Sequence, residues 1–166
     1  MDLTHLHLLL NHFPIIGTLI GVGLMAYALF RKEENLQRAV LLLWVLMTLV
    51  TPVVMKTGEE AEETVERITG VTKTAIHEHE EAAEVALWLM IGLGVVSLAA
   101  LVLNYRKSNI RTITLFAFVL SLAVSAAMAR TGYLGGLIRH TEIAGNAGAN
   151  ANGSATGAEA GEEEED

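Results

Sequence analysis

Four long apolar runs, residues 5–30, 39–55, 82–103 and 112–129, alternate with short polar segments along the chain. A helix needs roughly 17–25 apolar residues to cross a hydrocarbon core about 30 Å thick, and each run fits that requirement. The runs are too long and too uniformly apolar for the alternating strands of a barrel, and an open sheet would leave backbone N–H and C=O groups unpaired in lipid. The pattern therefore predicts an all-α fold, a four-transmembrane-helix bundle spanning residues 1–144.

Polar punctuation predicts the rest of the organisation. From Glu59 to Thr69 the apolar residues Ala61, Val65 and Ile68 recur at helical spacing among Glu59, Glu60, Glu62, Glu63 and Glu66. This reads as a short acidic surface helix between the second and third spans, stopped by Gly70. Pro14 falls in the first turns of the first span, where a missing N–H costs least, and Thr51-Pro52 is expected to kink the second span at its end. Gly17 and Gly21 form a small-xxx-small pair that allows close helix approach. Arg130 to Gly136 reads as a glycine-rich turn after the fourth span. From 145 to 166 only Gly, Ala, Asn, Ser, Thr, Glu and Asp occur, so the tail is expected to be disordered and acidic.

Charge then orients the bundle. Arg31, Lys32 and Arg38 occupy the first connection, and Arg106, Lys107 and Arg111 the third. In the second, Lys56, Arg67 and Lys73 are diluted by eight Glu. Short basic connections stay in the cytoplasm, which places both termini and the second connection on the periplasmic side of a bacterial inner membrane. The N-terminus Met1-Asp2-Leu3-Thr4 has no basic region, so the first span is expected to be retained. The net charge of −8 is concentrated in the second connection and the tail, and no basic footprint for nucleic acid exists. The absence of cysteine excludes disulfides, thiolate metal sites, iron–sulfur clusters and covalent c-type haem.

That topology gathers the histidines at one membrane face. His5, His7 and His12 open the first span, His77 and His79 open the third, and His140 follows the fourth. His5 and His12 are seven residues apart and share a helix face, whereas His7 points elsewhere. Below His79 lie Ala82, Ala83 and Ala86, which leave room for a planar group. A haem between two helices needs imidazoles at similar depth with small residues around the ring, and His12 with His79 fits best. Arg130 or Arg139 is placed to pair with propionates. A second constellation, His77, Glu81 and Glu84 with Glu80, resembles a carboxylate and imidazole metal face, although paired Glu-x-x-His motifs are missing. Glu84 lies just inside the apolar run, where an ionisable group is costly.

Several segments together resemble the bacterial four-helix membrane family known as domain of unknown function 2231. They are His5 with Asn11-His12-Phe13-Pro14-Ile15, then Thr57-Gly58-Glu59, then Glu78-His79-Glu80-Glu81-Ala82-Ala83, then Thr131-Gly132-Tyr133-Leu134-Gly135-Gly136 with His140. The resemblance covers about residues 5–142 and implies His5, His12, His79 and His140 as the functional histidines. His7 and His77 have no counterpart in that pattern. Members of the family look like small b-type cytochromes or redox-associated subunits.

The leading expectation is a haem b protein of the inner membrane, with His12 and His79 as axial ligands, that passes electrons to a membrane or periplasmic partner protein. Such a protein is an electron carrier or subunit rather than a stand-alone enzyme, embedded in lipid and open to homo-oligomerisation. Two alternatives stand beside it. One is a cofactor-free accessory or assembly subunit; the other is a non-haem site for a divalent transition metal at His77, Glu81 and Glu84.

Overall fold

The computed structural model describes residues 3–65, 72–105 and 111–139, and all of these but Asn11, Lys32, Glu33 and Thr72 belong to five helices. These are α1 (Leu3–Leu10), α2 (His12–Arg31), α3 (Glu34–Val65), α4 (Lys73–Tyr105) and α5 (Arg111–Arg139). Four helical stretches are long and apolar enough to cross a membrane, with α1 and α2 together supplying the first. At about 1.5 Å per residue α4 is about 50 Å long, so its ends extend beyond a hydrocarbon core of about 30 Å.

Pro14 explains why the first span divides. It has no N–H to give the Leu10 carbonyl, and its ring crowds that carbonyl, so the regular ladder is interrupted at Asn11. The turn is mild, because the Asn11 N–H still donates to the His7 carbonyl at 2.9 Å. At the other end of α2, Lys32 adopts a left-handed φ of 58°. The Ala28 carbonyl there accepts the Glu33 N–H at 2.9 Å and the Gln37 side-chain amide at 3.3 Å. Two connecting residues then suffice to send α3 back antiparallel.

The bundle is cyclic: α2 packs on α3 and α5, and α4 packs on the same two helices. Met25, Leu41, Trp44, Met90, Leu93 and Val124 fill the centre. Outward faces are apolar as well, with Leu19, Leu49, Val95 and Val119 all more than 60% exposed. Exposed apolar area of that extent is stable against lipid and not against water. Between α3 and α4, Thr48 Oγ1 donates to the Trp44 carbonyl at 2.9 Å and reaches the Met90 carbonyl at 3.0 Å. Gly94 permits that approach, since a Cβ there would collide with the Thr48 side chain. Gly17 and Gly21 are filled by the Met47 and Trp44 side chains rather than by a neighbouring backbone.

Three expectations are corrected. The second span does not stop at Thr51-Pro52; α3 continues through Pro52 to Val65. In membrane helices, hydroxyls and neighbouring helices make an internal Pro tolerable, and Thr51 Oγ1 bonds the Met47 carbonyl at 2.8 Å. Residues 59–65 are therefore the end of α3, not part of a separate surface helix; Thr57 and Ala61 stay buried while Glu59 and Glu60 face outward. The segment Arg130 to Gly136 is helical rather than a turn, because α5 runs on to Arg139. Each glycine costs a helix up to about 1 kcal/mol, and here Gly135 admits the His79 ring. Residues 66–69 of the expected surface helix, His140 and the tail 145–166 lie outside the described residues.

Candidate functional site

α1 packs against α3, and His7 is the histidine at that contact. Its Nδ1–H donates to the Val54 carbonyl at 3.0 Å and is shared with Thr57 Oγ1 at 3.4 Å. Thr57 in turn donates its own proton to the Val54 carbonyl at 2.8 Å. The imidazole lies over Gly58, where an added Cβ would stand 3.0 Å from Cε1. Carbonyls only accept, so Nδ1 of His7 carries the proton of this bond.

His79 repeats this arrangement across the α4–α5 contact. Its Nδ1–H donates to the Thr131 carbonyl at 3.0 Å. Its ring lies over Gly135, with the corresponding Cβ distance 3.1 Å. His7 is close enough for its charge to act on His79. Two half-buried imidazoles from α1 and α4 thus stand near each other at one end of the bundle. Each directs its Nδ1–H to a backbone carbonyl of a neighbouring helix.

The rim of this end is acidic. Glu80 of α4 lies close to Glu62 of α3, and Glu59 and His77 are near enough for their charges to act on it. Asn11, at the α1–α2 junction, has a buried Oδ1 with no hydrogen-bond partner among the described residues.

The other sequence candidates are distributed differently. His12 is exposed and its Nδ1–H donates to the Leu8 carbonyl at 2.7 Å within its own turn. His5 and Arg130 are also exposed, Arg139 ends α5, and His140 lies outside the described residues. His77 Nε2 pairs with Glu81 Oε1 at 3.4 Å, both side chains about 70% exposed. Glu84 turns instead to Trp88, whose Nε1–H lies 3.5 Å from its carboxylate. Among the described residues no three or more His, Asp or Glu side chains gather as metal ligands. The suggested metal face of His77, Glu81 and Glu84 is thus one exposed pair and a neighbour directed elsewhere.

As helical spacing predicts, His5 and His12 share a face and are both exposed, while His7 points elsewhere, onto α3. Small residues at the ring seats matter as much as the imidazoles. Gly58→Ala with Gly135→Ala is expected to push both rings by a few tenths of an ångström and to weaken whatever the Nε2 atoms hold. Comparison of cofactor content in the double variant and wild type checks this.

The family model described as Predicted membrane protein (DUF2231) matches residues 4–147. Comparison with curated proteins gives no match, and comparison with solved structures gives none either.

Proposed function

We propose, from the premise that this chain belongs to the DUF2231 family of membrane proteins, that it is a b-type haem protein that exchanges electrons at the histidine-bearing end of the bundle. One observation carries the reading: His7 and His79 each commit Nδ1–H to a backbone carbonyl, which in the neutral ring leaves the lone pair on Nε2. A haem iron would be held by these two imidazoles and would not need a cluster of three ligands. When bound, haem supplies one-electron exchange at its iron.

The chain's own residues do the rest. Val54 and Thr131 hold the imidazole tautomers, while Gly58 and Gly135 let the rings lie close to α3 and α5. Outer partners of this kind orient the ligand and raise its basicity. Arg130 is the exposed cation at this end suited to a propionate. The basic connections put this end on the periplasmic side of the inner membrane by the positive-inside rule. Its Glu59, Glu60, Glu62 and Glu80 suit a redox partner with a basic docking face.

The test is an absorption spectrum of detergent-purified protein, air-oxidised and then dithionite-reduced, with haem counted by the pyridine haemochrome assay. A sharp reduced α-band at about one haem per chain is the expected result. A flat spectrum from cells supplied with ample haem overturns the proposal, and co-purification with a larger complex would then favour a cofactor-free accessory subunit.

A further inference from the structure

The end of the bundle away from His7 and His79 carries the opposite charge. Arg31 and Lys32 end α2, Arg38 lies one turn into α3 and Arg111 opens α5, against Glu33 and Glu34. Arg106 and Lys107 add to this balance in the sequence. Phe30 and Tyr105 are exposed at the same end. Exposed aromatic rings beside basic residues mark the level where lipid headgroups meet hydrocarbon.

At that level α3 and α4 leave an open cleft of about 350 Å³, lined by Arg38, Leu101, Asn104 and Tyr105. Its polar half is rich in donors. The Arg38 guanidinium gives one N–H to Glu34 Oε2 at 3.4 Å and keeps further N–H groups for another acceptor, while Asn104 and Tyr105 bring an amide and a phenol. Arg38 is 46% exposed against 75% for Glu34, and among the described residues no carboxylate lines the cleft. The apolar half continues towards the middle of the bundle. Leu98, Leu101 and Tyr105 follow one another at helical spacing on α4, and Leu42 lies one turn beyond Arg38 on α3. Leu42 and Leu98 are each about half exposed. A basic mouth above a lipid-facing apolar strip complements a phospholipid, whereas a soluble phosphate would use the mouth alone.

We propose that this cleft binds one anionic phospholipid, whose phosphodiester accepts hydrogen bonds from Arg38 beside Asn104 and Tyr105, and whose acyl chain lies along Leu101 and Leu98. Basic pockets between membrane helices hold such headgroups, and the planar guanidinium matches the paired oxygens of a phosphate. The surplus of basic residues selects against a headgroup that carries its own cation. The assignment depends on the charge of this end, not on which leaflet it occupies or on what the histidines hold.

Native mass spectrometry of the full-length protein, delipidated in detergent and titrated with phosphatidylglycerol or phosphatidylcholine, tests this. The expected result is one phosphatidylglycerol per chain, bound several-fold more tightly than phosphatidylcholine and not displaced by equimolar glycerol 3-phosphate. Arg38→Gln should weaken it about tenfold, the worth of a charge-assisted hydrogen bond. Arg38 is exposed, so its variant should keep the helical circular dichroism of the wild type. Arg31→Gln removes the same charge from the same end outside the cleft lining and should leave binding unchanged. Equal affinity for the two lipids, or equal weakening by the two substitutions, would overturn the proposal by showing only the general charge of this end at work. Displacement by glycerol 3-phosphate would overturn the lipid in favour of a soluble anion at the mouth.

Discussion

His79→Ala and His7→Ala are each expected to strip haem from the purified protein, whereas His12→Ala retains it. Both inward imidazoles are anchored through Nδ1 on a neighbouring helix, at Thr131 and Val54. His12 spends its Nδ1–H on Leu8 in its own turn and faces outward. Loss of an outer partner alone costs about 10–100-fold in metal affinity, so removal of an axial ligand should cost at least that much. The reduced α-band and the haem-to-protein ratio read the effect directly. If His12→Ala loses haem and His7→Ala keeps it, the site is at His12 and His79, as helix periodicity alone suggests. Thr57→Val is a gentler companion: it removes the secondary acceptor of His7 at 3.4 Å but leaves the Val54 carbonyl. A shifted potential with haem still bound is its expected outcome.

The second large effect concerns stability. Gly94→Val should destabilise the bundle, because any Cβ at that position runs into the Thr48 side chain and the hydroxyl that bonds the Met90 carbonyl. Overpacking of a filled core typically costs about 1–3 kcal/mol, and loss of the interhelical hydrogen bond adds to it. Gly23→Ala is the internal comparison: nothing lies within 4 Å of its added Cβ and the residue is exposed. It should stabilise α2 by up to about 1 kcal/mol through helix propensity alone. Thermal unfolding in one detergent, followed by helical circular dichroism, separates the two. Equal midpoints for Gly94→Val and Gly23→Ala would show that the α3–α4 approach at Thr48 is not tight.

These two predictions draw on different kinds of information. Every member of the four-span architecture was legible in the order of residues, and the spans sit where the apolar runs do. Helix ends were less legible. Pro52 and the glycines Gly132, Gly135 and Gly136 are local breakers, and local reasoning ended helices at them. In the structure α3 and α5 continue because buried Thr57 and Ala61, and the seat of His79 on Gly135, reward a longer helix. Tertiary packing outweighs propensity differences of about 1 kcal/mol per residue.

The site was legible in its ingredients and not in its pairing. Grouping of the histidines near one end follows from antiparallel spans, and His79 was identified by the small residues below it. His7 and His12 differ in surroundings: α1 packs on α3, where His7 meets the Val54 carbonyl, whereas His12 is exposed. Backbone acceptors such as Val54 and Thr131 have no signature in a sequence, because every residue owns a carbonyl. Sequence by itself determined that the described part of this chain has four helices long and apolar enough to cross a bilayer, since lipid demands long apolar helices and that demand is local. Only the tertiary structure decided which imidazoles meet and which polar groups lie unpaired inside, because those depend on helix rotation and relative depth, and both are set by contacts between residues far apart in the chain.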